Sequence, residues 1–258
     1  MRIAHLTNLV LETRFFQKTW FLNSGGIIVG KSGFLTDALG LNKMTTTLDA
    51  SNLVLRDVHR LLKLESNYND SLTSFLPLET LTEIDRQKLE EFRTNFKSYY
   101  FDGNILEGQV KFLFVSPLMW LSGFYHPNIK ITLEEWIANI DIEDEETIIK
   151  GRMDILAATR VQAQPNMTAL WVLIIETKKF STDVNVGLPQ LLTYAYKSLE
   201  HQESVWGLTT NGMDYQFVCL QKGEPSTYNL FPKLSLLYPE QSVQLFQAMK
   251  AICLPHVS

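Results

Sequence analysis

Two cysteines, Cys219 and Cys253, are all that 258 residues contain, and they lie far apart. That excludes a disulfide framework and a thiolate metal cluster, and it fits a reducing cytoplasm. A basic excess is also missing, because the net charge is -5. Nucleic-acid binding, if present, therefore needs a local patch of Lys and Arg helped by metal ions. His5, His59, His126, His201 and His256 show no short ligand spacing. No apolar run approaches the roughly 20 residues of a membrane span. The first residues do not read as a secretory signal, since polar residues interrupt them and Glu12 and Arg14 follow. Internal repeats and low-complexity linkers are absent too.

What remains is an ordinary globular composition, 45% hydrophobic and 20% charged, in a chain long enough for one sizeable core or one core plus an appendage. Residues 1–43 have apolar content without a clean period. They are expected to be a peripheral or poorly ordered extension, with Met44 as an alternative start. Residues 44–127 read as a helical part. Leu55, Val58, Leu61, Leu62 and Leu64 suit one helical face. Thr82 precedes an acidic first turn of Glu83 and Asp85, with Ile84, Leu89, Phe92 and Phe96 at helical spacing. "ILEGQVKFLFVSPLMWLSGF" reads as a mostly apolar helix bent or ended near Pro117. Residues 128–258 read as a sheet core. "NIKITLEEWI", "TIIKGRMDILAATR" and "ALWVLIIETKKF" are three expected strands, with the acidic turn "IDIEDEE" between the first two. "GLPQLLTYAYKSLEHQ" is a helix with proline at its start. "SVWGLTTNGMDYQFVCLQKG" is two strands around Asn211-Gly212, and "STYNLF" and "EQSVQLFQAMKAIC" give a last strand and helix. The class is mixed α/β with one sheet.

The strand "LWVLIIETKKF" ends in Glu176, Lys178 and Lys179. If the hairpin turn before it centres on Pro165, Asp154 faces Glu176 across the two strands. Lys178, two residues on, points to the same face. A slip of one or two residues is open, because the turn is not tight. Two carboxylates offer hard oxygen ligands suited to Mg2+ or Mn2+. A bound ion lowers the pKa of its water and neutralises phosphate charge, and a nearby lysine orients the water or stabilises developing charge. The plainer alternative is an ion pair at a strand end.

With "GRMDIL" (Asp154), "VLIIETKK" (Glu176, Lys178) and "PQLLTYAY" (Gln190, Tyr194), the chain resembles the PD-(D/E)xK nuclease superfamily. "VWGLTTNGMDYQFV" resembles the next strand pair of type I restriction subunit N-terminal domains. The likeness is greatest to small cyanobacterial proteins described as restriction endonuclease R-subunit-like, and it runs from Met44 to the C-terminus. The resemblance implies a restriction-endonuclease-like fold, a mixed central sheet flanked by helices. It implies a metal-dependent DNA endonuclease with Asp154 and Glu176 on Mg2+ or Mn2+ and Lys178 serving the water. It implies Gln190 as support beside Tyr194, and a further acid from an early helix, best matched by Glu107. Glu134 and Glu135 are weaker candidates, of which at most one faces the active side. Lys179 and Lys197 are candidates for phosphate contact. DNA is the implied partner, with a homodimer or partner restriction subunits beyond it. Met153 stands where the family carries proline.

Other readings stay open: a DNA-binding or regulatory module without turnover, or an interaction protein with an incidental ion pair. "GGIIVGKS", Gly25 to Ser32, matches a P-loop with Lys31 at the phosphate position. No clean strand precedes it, and its β-branched residues suit a tight loop poorly. The NTPase reading is the remotest.

Overall fold

The computed structural model describes residues 45–160 and 168–257. The expected extension at 1–43, the P-loop match and Pro165 lie outside the described residues.

In chain order the elements begin with β1 (Thr46–Asp49), α1 (Leu55–Leu62) and β2 (Glu65–Tyr68). Next come α2 (Glu83–Asp102), α3 (Glu107–Val110), a π-helical turn at Lys111–Val115, and α4 (Ser116–Leu121). Then follow β3 (Ile129–Trp136), β4 (Ile140–Ile142), β5 (Thr147–Lys150), β6 (Arg152–Thr159) and β7 (Trp171–Thr177). The chain closes with α5 (Leu188–Ser198), β8 (Ser204–Thr210), β9 (Asp214–Gln221), β10 (Thr227–Leu230), β11 (Leu234–Ser235) and α6 (Pro239–Cys253).

The architecture is mixed α/β. Eight strands form one sheet in the order β2-β10-β9-β8-β7-β6-β3, with β11 on β9. The sheet is mixed because α5 carries the chain from β7 to a parallel β8, while β6–β7 and β8–β9 are antiparallel. Strand alternation splits the central strands between two layers. Ile155, Ala157, Leu173 and Ile175 pack against α2, α4 and α6 through Phe92, Phe96, Leu118, Leu245 and Phe246. Leu156, Ala158 and Ile174 pack against α1 and α5 through Val58, Leu61, Leu191 and Leu192.

Five local expectations change. Residues 44–127 are not purely helical: β1 joins a small sheet with β5 and β4, and β2 pairs with β10. "TIIKGRMDILAATR" is not one strand but two, in different sheets, broken at Gly151. A Cβ there would lie 2.6 Å from Tyr194 and 2.9 Å from Ala50, so the chain crosses between sheets where only glycine fits. Part of the expected acidic turn is β4, and its Asp144 pairs with Lys63 at 2.9 Å while Glu145 pairs with Arg60. In α2, Leu89, Phe92 and Phe96 are buried as expected but Ile84 is exposed. Around Pro117 the helix widens rather than ends. Proline has no N–H for the carbonyl four residues back, and the Ser116 N–H reaches to Lys111 O, five back.

Among the described residues no helix is long and apolar enough to cross a membrane. Both cysteines are free and buried.

Candidate active site

The β6–β7 register is the expected one. Ile155 pairs with Ile175, Leu156 with Ile174 and Ala157 with Leu173, so one step further Asp154 faces Glu176. On the other edge of β6, Leu133 pairs with Ile155 and Glu135 with Met153, which leaves Glu134 opposite Asp154. Glu134 has φ 55 inside its strand, a local kink at the head of the row. Three acids from three adjacent strands thus stand side by side. The row continues as polar residues, because Glu176 pairs with Thr209 and Thr209 with Gln216.

Asp154 is fixed from behind. The Thr177 N–H and hydroxyl both donate to Oδ2, each at 2.7 Å. Its Oδ1 accepts from Lys111 Nζ, also at 2.7 Å. Lys111 donates as well to Glu134 Oε1 at 2.7 Å and lies 3.6 Å from Glu107 Oε1. Glu134 Oε2 is 2.9 Å from Arg152, whose guanidinium lies over the Trp136 ring. On β7, Lys178 Nζ donates to Glu176 Oε1 at 2.7 Å and to Gln190 Oε1 at 3.1 Å. Gln190 Nε2 donates to the Tyr194 hydroxyl at 2.7 Å, which also accepts from the Arg152 N–H at 3.2 Å. These groups line a cleft of about 470 Å³ at the end of the sheet.

Glu176 is the most perturbed acid. Burial, then the charges of Asp154 and Glu107, raise its pKa to about 8 against the pull of Lys178. Its Oε2 is buried without a hydrogen-bond partner, as are Thr209 Oγ1 and Gln216 Oε1 in the same row. Burial pulls the Lys111 ammonium down, but hydrogen bonds from Asp154 and Glu134 outweigh it and hold its pKa above the ordinary lysine value. Burial and the Glu176 charge push the Tyr194 hydroxyl up.

The structure brings Asp154, Glu176, Lys178, Gln190, Tyr194 and Glu107 into one cleft. Of the two candidate acids on β3, Glu134 lines it and Glu135 does not. Gln190 does not cap its helix: the α5 N-cap is Gly187, and the amide reaches Lys178 and Tyr194 instead. Tyr194 is both a core residue, 1% exposed, and a hydrogen-bond partner of the cleft. Lys179 is exposed and outside the cleft lining, and Lys197 pairs with Glu200 beside a different pocket.

The cleft also holds Asp49 and Arg152, with Thr177 behind Asp154, and two more residues that the sequence does not single out matter most. Lys111 lies inside a mostly apolar run, although its place four residues after Glu107 is the spacing of a helical ion pair. Gly187 packs against the site: a Cβ there would meet Glu176 Cγ at 3.1 Å and Lys178 Cε at 3.2 Å. Only the helix start before Pro189 hinted at it.

The chain matches no protein-family model, and no characterised protein matches it in sequence. Among the described residues, no three His, Cys, Asp or Glu side chains are already gathered as a metal-holding group.

Proposed function

We propose that the chain is a metal-dependent endonuclease that hydrolyses DNA phosphodiester bonds, as its resemblance to PD-(D/E)xK nucleases implies. The observation that carries this is Asp154 and Glu176 in facing register, with Lys178 held between Glu176 and Gln190. Incidental strand-end ion pairs do not demand a buried carboxylate with one free oxygen.

The residues fit a hard divalent cation, Mg2+ or Mn2+. The buried Glu176 Oε2 lacks a partner, and five carboxyl groups (Asp49, Glu107, Glu134, Asp154, Glu176) face three cations (Lys111, Arg152, Lys178) across the cleft. Near neutral pH Glu176 keeps its proton; a divalent ion that displaced it would neutralise the two surplus negative charges then left. Asp154 and Glu176 would hold it, with Glu107 or Glu134 adding a ligand directly or through water. Bound there, it would supply Lewis-acid activation of water and charge neutralisation at the phosphate. Thr177 anchors Asp154 Oδ2 and so leaves Oδ1 facing the cleft. Lys178 keeps an N–H donor beside Glu176 for the attacking water or the developing phosphorane charge. Gln190, braced by Tyr194, holds that ammonium in place.

DNA is the partner in this reading, a homodimer or partner restriction subunits extend it, and two buried free thiols suit a reducing cytoplasm. A second reading, a DNA-binding or regulatory module of the same fold without turnover, is favoured by one observation: the Lys111 ammonium rests on Asp154 Oδ1.

Incubating supercoiled and linear DNA with Mg2+ or Mn2+ separates the two. Cleavage by wild type but not by Asp154→Asn or Lys178→Met supports the enzyme. Binding without cleavage under every metal and substrate supports the module.

A further inference from the structure

We infer that Lys111 is a tethered cation that competes with a divalent ion for the carboxylate row of the cleft. The inference rests on the metal-site reading above but concerns a residue that neither the sequence pattern nor the resemblance singled out.

The geometry is specific. One ammonium touches Asp154 Oδ1 and Glu134 Oε1, both at 2.7 Å, and stands 3.6 Å from Glu107. Those acids come from three separate elements, β6, β3 and α3. The other two cations of the cleft are engaged elsewhere, Arg152 with Glu134 Oε2 and Lys178 with Glu176 and Gln190. Lys111 is thus the cation seated on the oxygen of Asp154 that faces the cleft.

An ammonium carries one charge and three N–H donors. Three carboxylates surround it, and with Arg152 also on Glu134 one negative charge stays uncompensated. A divalent ion brings twice the charge and accepts about six oxygen ligands. An ammonium and a divalent ion on Asp154 Oδ1 would repel each other at close range, so binding one weakens the hold of the other. Lys111 is able to leave: its side chain is 20% exposed and its stem is flexible. Its carbonyl also lies in the widened helical turn that Ser116 closes. A seated competitor lowers the apparent metal affinity by the fraction of time the row is free.

The test titrates Mn2+ by calorimetry into the full chain as wild type, Lys111→Met and Lys111→Gln. Lys111→Met should bind Mn2+ at least about tenfold tighter than wild type, because the row is then always open; Lys111→Gln should also bind it more tightly, because a neutral amide holds the acids less strongly than an ammonium. A Met variant that folds only with Mn2+ present supports the same exchange, since the ion then replaces the missing ammonium. If the Met variant folds in neither condition, the Gln variant, whose amide still donates to the acids, carries the comparison. Equal or weaker Mn2+ binding by the variants overturns the inference; loss of wild-type binding in Asp154→Asn would show that the metal site itself survives it. No Mn2+ binding by any folded form overturns the metal-site reading and this inference together.

Discussion

Replacing Glu176 by Gln should stabilise the metal-free protein at alkaline pH and do little at acid pH. The buried carboxyl titrates near pH 8 in the folded chain against an ordinary value of 4.5. Its folded pKa is raised, so folding favours the protonated form. The stability linked to it is complete below about pH 4.5 and drains away as pH climbs to about 8. The whole shift would correspond to roughly 4–5 kcal/mol at about 1.4 kcal/mol per unit. Gln still offers Lys178 a carbonyl oxygen but no charge, and the site relaxes when charged, so about 2 kcal/mol is the expected net gain. For a domain of this size that is roughly 4–8 °C in Tm. The assay is thermal unfolding in EDTA from pH 5 to 8.5. Wild type should lose stability relative to Glu176→Gln as pH rises, and adding Mn2+ at pH 8 should restore wild type but not the variant. Curves that run parallel across the whole range would refute the reasoning, because burial of Glu176 would then not outweigh its pairing with Lys178.

Three further outcomes follow from the same geometry. Gly187→Ala should lower cleavage at least tenfold while shifting stability by only about 1 kcal/mol, because its Cβ meets Glu176 and Lys178 rather than rigid backbone; kinetics beside urea unfolding checks this. Tyr194→Phe should cost about 1–2 kcal/mol in chemical denaturation, since the Arg152 N–H and the Gln190 amide lose a shared acceptor. Lys197→Ala should leave cleavage and its salt dependence unchanged, because that ammonium pairs with Glu200 away from the cleft; a fall in the salt slope would place DNA on that face.

Much of this was legible in the sequence because β7 is a strong signal. Six apolar residues end in a charge, and the hairpin arithmetic around Pro165 gave the Asp154–Glu176 register that β6 and β7 adopt. The helix carrying Gln190 and the turn at Asn211-Gly212 were equally local, each marked by proline or glycine. What escaped was non-local. Gly151 looked like the middle of a strand, and its role depends on Tyr194, 43 residues on. The short strands β1, β2 and β11 exist because partners distant in sequence present an open edge, which no propensity reports. Lys111 was hidden because its acids arrive from three elements, and only the Glu107 spacing is local. The choice between Glu134 and Glu135 turned on the β3–β6 register, which the break at Gly151 obscured.

In the proposed mechanism Asp154 and Glu176 share one divalent cation. An anomalous-difference map from crystals grown in Mn2+ tests it most directly. One peak is expected roughly 2.0–2.3 Å from a carboxylate oxygen of each residue, with Lys111 moved off Asp154 Oδ1. Saturating Mn2+ with no peak there, and Lys111 still seated on Asp154, would contradict it.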